Sequence, residues 1–397
     1  MKRPGVRQFL RYAARYRGWR SYLRSPGDGR VRPQIAAAIL LRGLLVARLL
    51  REVSFAAIEA LVGSPARRGM GVRRSFGDDA LGYFSERLDV ERLRMTVAAL
   101  VRQAKRNKAF EGSRWIGLAL DGTGAGGSRE RKCKWCRPIR NQKKEITGYG
   151  HKLVMVSVVG AGLSLPFDVE PYGPGDSEYS AGQRLLRRGV KAVGGRFADY
   201  AVVDGEFATA PFLHAAGDMG LKLVARLKGN LPELFEAAQQ RFAASAPKDV
   251  FSEGSDRVEI WDAEDFDPWG TLRWETVRVV FYRQHKPDGR VVEAYWLTDF
   301  SMKQAGSKAI YRMAKSRWEI ENQGFNDAKN RYGIEHICHH QANSILLNWL
   351  ITFLALVIER LYRIRYLHRG THPVRSAESL CRLLWLSLSR PLAPDTS

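Results

Sequence analysis

Cysteine is scarce in this sequence: Cys133, Cys136, Cys338 and Cys381 are the four in 397 residues. That is too few to staple a chain of this length, so a disulfide scaffold is excluded and a reducing compartment, the cytoplasm, is expected. Long apolar runs are missing too. Ile35 to Leu50 is broken by Arg42 and Arg48, and Ile345 to Ile358 spans 14 residues with Asn348 inside. Both fall short of the roughly 18–20 apolar residues of a membrane span and read as buried core helices. The basic opening stretch MKRPGVRQFLRYAARYRGWRSYLR develops neither the apolar segment nor the cleavage site of a secretory signal. Acidic side chains are the minority: 41 Asp and Glu stand against 64 Lys and Arg, a formal net charge of +23. Such a surplus favours a polyanionic partner, nucleic acid first, with a generally arginine-rich proteome as the bland alternative.

What is present is globular. Hydrophobic residues make up 45% and aromatics 10%, enough for a substantial core in two or three domains. Residues 1–110 read as helical, since QIAAAILLRGLLVARLL and DVERLRMTVAALVRQAKR carry apolar residues at helical spacing. GSPARRGMGVRRSFGDD between them has the composition of a loop. From Trp115 the texture changes to short apolar runs ended by turn residues. WIGLALDGTG, then KLVMVSVVGAGLSLPFDVE folded at Gly160–Gly162, predict a three-stranded meander. A polar helix over 177–193, a strand YAVVDGEF, a short helix over 211–216 and a strand LKLVARL come next. This alternation predicts the α/β class, a mixed sheet flanked by helices. Residues 230–301 turn β-rich again in RVEIWD, LRWETVRVVFYRQ and VVEAYWLTDF and read as an insertion. A long helix is predicted after it, from Ser307 as N-cap to a C-terminal cap at Gly333. The chain thus divides into 1–110, 111–229, 230–301, 302–370 and a tail, 371–397.

Three of these segments place acids conspicuously. Asp121 follows LAL, Asp204 follows AVV, and Glu319 and Glu321 lie in the late helix within RWEIENQGFNDAK. Strand-end Asp-Gly turns and solvated helix faces are the ordinary roles of such residues taken singly. A carboxylate ending a buried strand is costly unless it is paired or bound to a cation. Three converging carboxylates repel one another, which calls for a hard divalent ion. Mg²⁺ suits phosphoryl chemistry, and two such ions clamp the attacking and leaving oxygens of an in-line displacement.

The combination of ALDGTG, CKWC followed by Tyr149 and His151, YAVVDGEF, WLTDF, and RWEIENQGFNDAK followed by YGIEHICHH resembles the DDE transposases of bacterial insertion sequences, in the branch with a Tyr-Arg-Glu-Lys motif. The resemblance covers about residues 75–360. It implies an RNase H-like fold with a helical, DNA-binding N-terminal region and a β-rich insertion before the last catalytic helix. It also implies two divalent ions, Mg²⁺ or Mn²⁺, on Asp121, Asp204 and Glu321, with transposon-end and target DNA as partners. A dimer or larger assembly on DNA, associated with the bacterial nucleoid, is expected. Trp-x-Ile-Glu matches Trp318, Ile320 and Glu321, which selects Glu321 over Glu319. At about 100° per residue Arg317 and Phe325 lie within roughly 40° of Glu321, while Glu319 points about 160° away. Arg317 and Trp318 are expected to meet DNA, the one at phosphate and the other by stacking on a base or else packing the helix onto the sheet. The family's tyrosine, a DNA-backbone contact, falls at Ala314, with Tyr311 the nearest candidate for that contact; its lysine falls at Ala328, with Lys329 next, turned by about 100° in a regular helix but long enough to reach a DNA phosphate. A nuclease without strand transfer and a silent DNA-binding regulator are the alternatives.

Weaker signals remain. Gly122, Gly124 and Gly127 have dinucleotide-site spacing but no helix opening behind them. Cys133 and Cys136 form a C-x-x-C; a zinc site would need two more ligands from His336, Cys338, His339 and His340. Glu178 is spaced to Arg184 as in a family motif, with a solvated helix face as the ordinary reading; Asp176 and Glu206 are candidate accessory acids whose ordinary roles are loop and surface ones. RQFLRYAARYRGWRSYLR and ARRGMGVRR interleave arginine with aromatics, suited to gripping phosphates or stacking on bases.

Overall fold

The computed structural model describes residues 5–368 and 373–389. Its centre is a meander of long strands: β1 (Gly117–Ser128), the short β2 (Arg137–Arg140), β3 (Ile146–Gly160) and β4 (Leu163–Pro171). From Leu153 to Gly160 every residue of β3 is buried, as expected of a strand covered on both faces. Gly160, Ala161 and Gly162 turn the chain into β4 with φ of 143°, 55° and 70°, which two glycines make inexpensive. β3 is antiparallel to β1 on one side; on the other, β2 lies along its first half and β4 along its second.

Helical crossovers then add parallel strands. The chain leaves β4 through a helix at Glu178–Val193, N-capped by Ser177, whose hydroxyl accepts from Ser180 N–H. It returns as β5 (Tyr200–Val203), parallel to β1, crosses again through a helix at Ala210–Asp218, and forms β6 (Lys222–Leu227), parallel to β5. The central order β4-β3-β1-β5-β6, three antiparallel strands followed by two parallel ones, is the RNase H-like arrangement.

The β-rich stretch does not fold away from this sheet. After a helix at Pro232–Ala243, strands β7 (Asp249–Glu253), β8 (Asp256–Phe266), β9 (Val277–His285) and β10 (Val291–Thr298) form a meander. β10 pairs antiparallel with β6, so among the described residues the sheet has ten strands. Two of them, β2 and β7, are mostly exposed and lack the apolar alternation that marks a strand in sequence.

Helices cover both faces. In chain order they are α1 (Val6–Ala13), α2 (Arg17–Arg24), α3 (Ala37–Leu49), α4 (Phe55–Gly63), α5 (Ala66–Gly69), α6 (Asp78–Arg87), α7 (Val90–Arg106), α8 (Glu178–Val193), α9 (Ala210–Asp218) and α10 (Pro232–Ala243). They continue with α11 (Ser307–Glu319), α12 (Asn326–Asn330), α13 (Ala342–Tyr362) and α14 (Ala377–Leu388). The predicted cap of α11 is displaced by one: Gly306 is the N-cap, and the Ser307 hydroxyl donates to Asp262 instead. α14 lies where only a tail was expected; it packs on α1 and α5, and the Trp385 indole donates to Leu50 O at 3.1 Å.

α13 continues through a wide turn to Leu367, 26 residues in all, so by length and composition it is able to cross a bilayer. The 14-residue apolar run underestimated it. Its apolar faces are taken up by β4, α3, α6 and α7, and Glu359, Arg360 and Arg363 are buried within it, so it is the core helix of this fold. A second buried ionic network joins α7, β4 and α8: Asp168 is held by Arg94 and by Arg188 at 2.7 Å.

Candidate active site

Two strands bring the aspartates together. β1 and β5 pair in parallel from Gly117↔Tyr200 to Ala119↔Val202. The pairing ends there, and continued along both chains the same register leads to Asp121 on β1 and to Asp204 just after β5. Asp204 follows the last residue of β5, as the sequence predicted. Asp121 does not end its strand: β1 runs on to Ser128, but beyond Ala119 only β3 accompanies it.

The third acid arrives just beyond α11, the helix that crosses β1, β3, β5 and β6. The Arg317 guanidinium lies 3.1 Å from Asp121 and 2.7 Å from Glu321, joining carboxylates from distant parts of the chain. Burial pushes the Asp121 carboxyl up to about 7; Arg317 opposes this, and the nearby charges of Glu321 and Glu178 add to it. Asp204 goes the other way. Burial works to raise it, but the hydrogen bond and charge of Lys228, 3.0 Å away, with the charge of Arg317, leave it below the usual carboxylate range.

Glu319 is turned away, as its angle predicted. It is half-buried, accepts from Gly160 N–H at 3.2 Å, and is pushed up to about 7 by desolvation despite the backbone hydrogen bonds. It therefore belongs to the β3–β4 turn.

The late helix is not regular. α11 ends at Glu319, Ile320–Phe325 form a single wide π-turn, and α12 resumes at Asn326. A π-turn holds one residue more than an α-turn and sets the residues beyond it back by about 100°. Lys329, eight residues after Glu321, thus takes the direction the seventh residue has in a regular helix, within roughly 20° of Glu321. Ala328, at the family's lysine position, is buried. Lys329 reaches Glu335 at 3.1 Å and lines a cavity with Gly124–Gly127 of β1 and Gly150–Lys152 of β3. The carbonyl of Gln323 in the wide turn accepts from the buried Arg360 at 2.6 Å.

The remaining candidates are scattered. Tyr311 is 1% exposed; its hydroxyl donates to Glu253 at 2.7 Å and its ring meets Tyr282 edge-on, so the DNA-contact role expected of it is corrected to a core one. Positioned before Arg317 on the same helix, it faces the β7–β9 meander. Trp318 is half-buried against the core, with the Lys315 ammonium 4.9 Å over its ring. Arg184 pairs with Glu170 and Asp176, not with Glu178. Glu178 accepts instead from the Tyr172 hydroxyl at 2.7 Å, and its carboxyl lies so close over Gly122 that any Cβ there would overlap it. Gly126, with φ of 75°, passes equally close to the Glu335 carbonyl. These approaches, with a bulge between Gly124 and Gly127, explain the glycines of DGTGAGG without a dinucleotide. Glu206 lies in a short turn after Asp204.

In the N-terminal half the aromatics and arginines separate. Phe9, Tyr12, Tyr16, Trp19 and Tyr22 are buried, while Arg11, Arg15, Arg20 and Arg24 are exposed. The rings are core, which removes them as base-stacking platforms; the guanidinium groups face out. Arg7, Arg11, Arg42 and Arg68 line one groove between α1, α3 and α5.

Lys228 and Tyr172 were missed by sequence reasoning, since neither stands in a motif; both touch acids only through the folded sheet. No curated protein matches this chain. A solved structure, the cryo-EM structure of the piggyBac transposase synaptic complex with hairpin DNA, is similar at 13% identity over 88% of this chain and 70% of that one, with a TM-score of 0.44. The family model described as the transposase DDE domain matches residues 115–358, more than half of the chain and a span containing Asp121, Asp204 and Glu321, and the chain belongs to that family.

Proposed function

We propose that this protein cuts DNA at the ends of a mobile element and joins the freed 3′ ends to a target, in reactions that depend on a divalent metal. The observation that carries this reading is the position of Arg317 between Asp121 and Glu321, with Asp204 directly after the neighbouring strand and within reach of the Arg317 charge. Acids gathered from distant segments, with a guanidinium drawn between them and Asp121 pushed to about 7, form a site suited to cations. The donor set is all carboxylate, which fits two Mg²⁺ or Mn²⁺ ions held by Asp121, Asp204 and Glu321. When bound, such ions supply Lewis acidity for in-line displacement at phosphorus.

The chain's own groups do the rest. Asp121 releases its proton as positive charge enters, and Arg317, freed from the carboxylates, offers its planar fork to a phosphate. Lys228 keeps Asp204 ionised. Lys329 and Trp318 hold the DNA beside the cut, and the outward arginines of α1, α2 and α5 grip the element's ends. Residues 1–110 serve as the DNA-binding region, and 111–229 with 302–370 as the catalytic core carrying the 230–301 insertion. Both ends are cut in one complex, so a dimer or larger assembly on DNA, at the bacterial nucleoid in the cytoplasm, is the working form.

The test is cleavage of a labelled duplex carrying the element's own ends, with Mg²⁺ or Mn²⁺, by wild type, Glu321→Gln and Glu319→Gln. The reading requires cut and joined products from wild type and their loss in Glu321→Gln alone. Cutting without joining would make the protein a nuclease, and binding without cutting under either metal would make it a regulator.

A further inference from the structure

Away from the carboxylates, one cluster of soft ligands has no part in the proposed reaction. Cys133 and Cys136, in the loop before β2, meet His151 on β3 and His340 in the segment before α13. One ligating atom from each lies within 4.8 Å of all the others. The sulfurs are 3.5 Å apart, and His151 Nε2 is 3.1 Å from Cys133 Sγ and 3.7 Å from Cys136 Sγ. A tetrahedral zinc ion with ordinary Zn–S and Zn–N bonds sets sulfurs about 3.8 Å apart and sulfur to nitrogen about 3.6 Å. The cluster already has nearly those edges.

Its surroundings supply nothing else that would gather these groups. Both imidazoles keep a buried Nδ1 without a hydrogen-bond partner, and the thiols are free. Around the sulfurs and His151 Nε2 there are only weak thiol contacts and backbone N–H groups, and a cation would replace those contacts with ligand bonds. The segment carrying the cysteines is itself anchored, because Trp135 stacks on Trp349 of α13 with ring centroids 6.4 Å apart. Cys133 and His340 are half-buried and open to the surface beside Lys132 and Gln341, which gives an ion a way in.

We propose that Cys133, Cys136, His151 and His340 form a structural zinc site that ties the β1–β2 loop and β3 to the segment following the last helix of the carboxylate site. On binding, each thiol loses its proton to solvent, so the ion and two thiolates together carry no net charge. With four protein ligands the site is closed, which suits a structural role over a catalytic one. Its position gives it a purpose: Glu335, the partner of Lys329, lies five residues before His340 in the tied segment, and His151 borders the cavity that Lys329 lines. The clamp would fix that wall for DNA. The C-x-x-C of the sequence is thereby completed by a strand histidine and one residue of the ICHH run, not by two from the run.

The experiment is metal analysis of the full-length protein purified without chelator, followed by replacement with Co²⁺. One zinc per chain is expected, falling to background in the Cys133→Ser/Cys136→Ser double variant and reduced in His340→Asn. The Co²⁺ protein should show the strong visible bands of a tetrahedral ion and a near-ultraviolet thiolate charge-transfer band. Should the double variant fail to fold, the Co²⁺ spectrum of the wild type decides alone. Folded protein without zinc, with a melting temperature indifferent to Zn²⁺ and with both thiols free to react or joined as a disulfide, would overturn the proposal, as would iron in zinc's place. None of these readouts depends on DNA cleavage.

Discussion

Glu319 and Glu321 stand two residues apart in one late helical segment, yet their surroundings assign them opposite consequences when each is replaced by glutamine. Glu319 is an acid held in the β3–β4 turn, its carboxyl pushed from 4.5 to about 7 by burial. A raised folded-state value means that the native protein binds the proton more tightly than the unfolded chain. This stabilisation is complete below the unfolded value and is lost as pH rises through the folded one. With values of about 4.5 and 7, the loss between pH 5.5 and pH 8 comes to about 2 kcal/mol. Glutamine cannot ionise, so Glu319→Gln removes that part of the pH dependence. Its amide keeps the Gly160 acceptor but turns N–H toward the second backbone donor, at a cost of about 1 kcal/mol that does not change with pH.

The assay is urea unfolding followed by tryptophan fluorescence, at both pH values and without added metal. Wild type minus Glu319→Gln should favour wild type at pH 5.5 and the variant at pH 8. Asp121 titrates in the same sense but is common to both proteins, so it drops out of the difference. Glu319→Gln should go on cutting DNA, and Glu321→Gln should not cut while melting as wild type does. Parallel pH profiles for wild type and Glu319→Gln would refute the buried-acid argument, and cleavage lost in a folded Glu319→Gln but kept in Glu321→Gln would refute the assignment of the third acid.

Three further outcomes are expected from contacts around the site. Gly122→Ala drives a methyl group into the Glu178 carboxyl, the far end of a flexible side chain that swings away and leaves Tyr172; a stability loss of about 1 kcal/mol, that of the lost hydrogen bond, is expected in thermal melts. Lys329→Ala should weaken binding to all duplexes alike and lower the slope of log affinity against log salt by about 1, measured by fluorescence anisotropy. Arg360→Met takes one cation from half-buried Asp327, which keeps Arg331 at 3.3 Å, and strands the Ser164 and Gln323 carbonyls; it should cost about 2–4 kcal/mol in urea unfolding, and Asp327→Asn in the same chain should recover only a small part of that.

Much of the frame was legible because it depends on local pattern. The β1, β3 and β4 runs alternate with glycine-bounded turns, Ser177 caps α8, and the two Asp-Gly pairs end buried stretches that proved to be neighbours. The features that escaped are set by contacts between distant segments. β2 and β7 are edge strands held by pairing alone, with exposed side chains and no apolar period to announce them. Aromatics and arginines in α1 and α2 looked equally available for DNA, and only the packing of Tyr12 against Tyr362 and Tyr366 shows which of them are core. His151 stands alone in a strand, and nothing near it in sequence predicts two cysteines or a histidine almost two hundred residues away.

The wide turn that holds Glu321 shows how such a contact alters the meaning of a motif. Counted along a regular helix, Lys329 is one residue too late and faces the wrong way, and Ala328 stands where a lysine belongs. The π-turn absorbs the extra residue, so spacing along the chain and direction in space part company. A π-turn leaves backbone groups poorly paired, and here the Gln323 carbonyl is taken up by Arg360, whose guanidinium also holds Ser164 on β4 and Asp327 at the head of α12. The direction of Lys329 therefore depends on a buried arginine of α13, more than thirty residues away. A change at Arg360 would be felt at the cavity wall as well as in the core, and the motif is better judged by the direction its side chains take than by the number of residues between them.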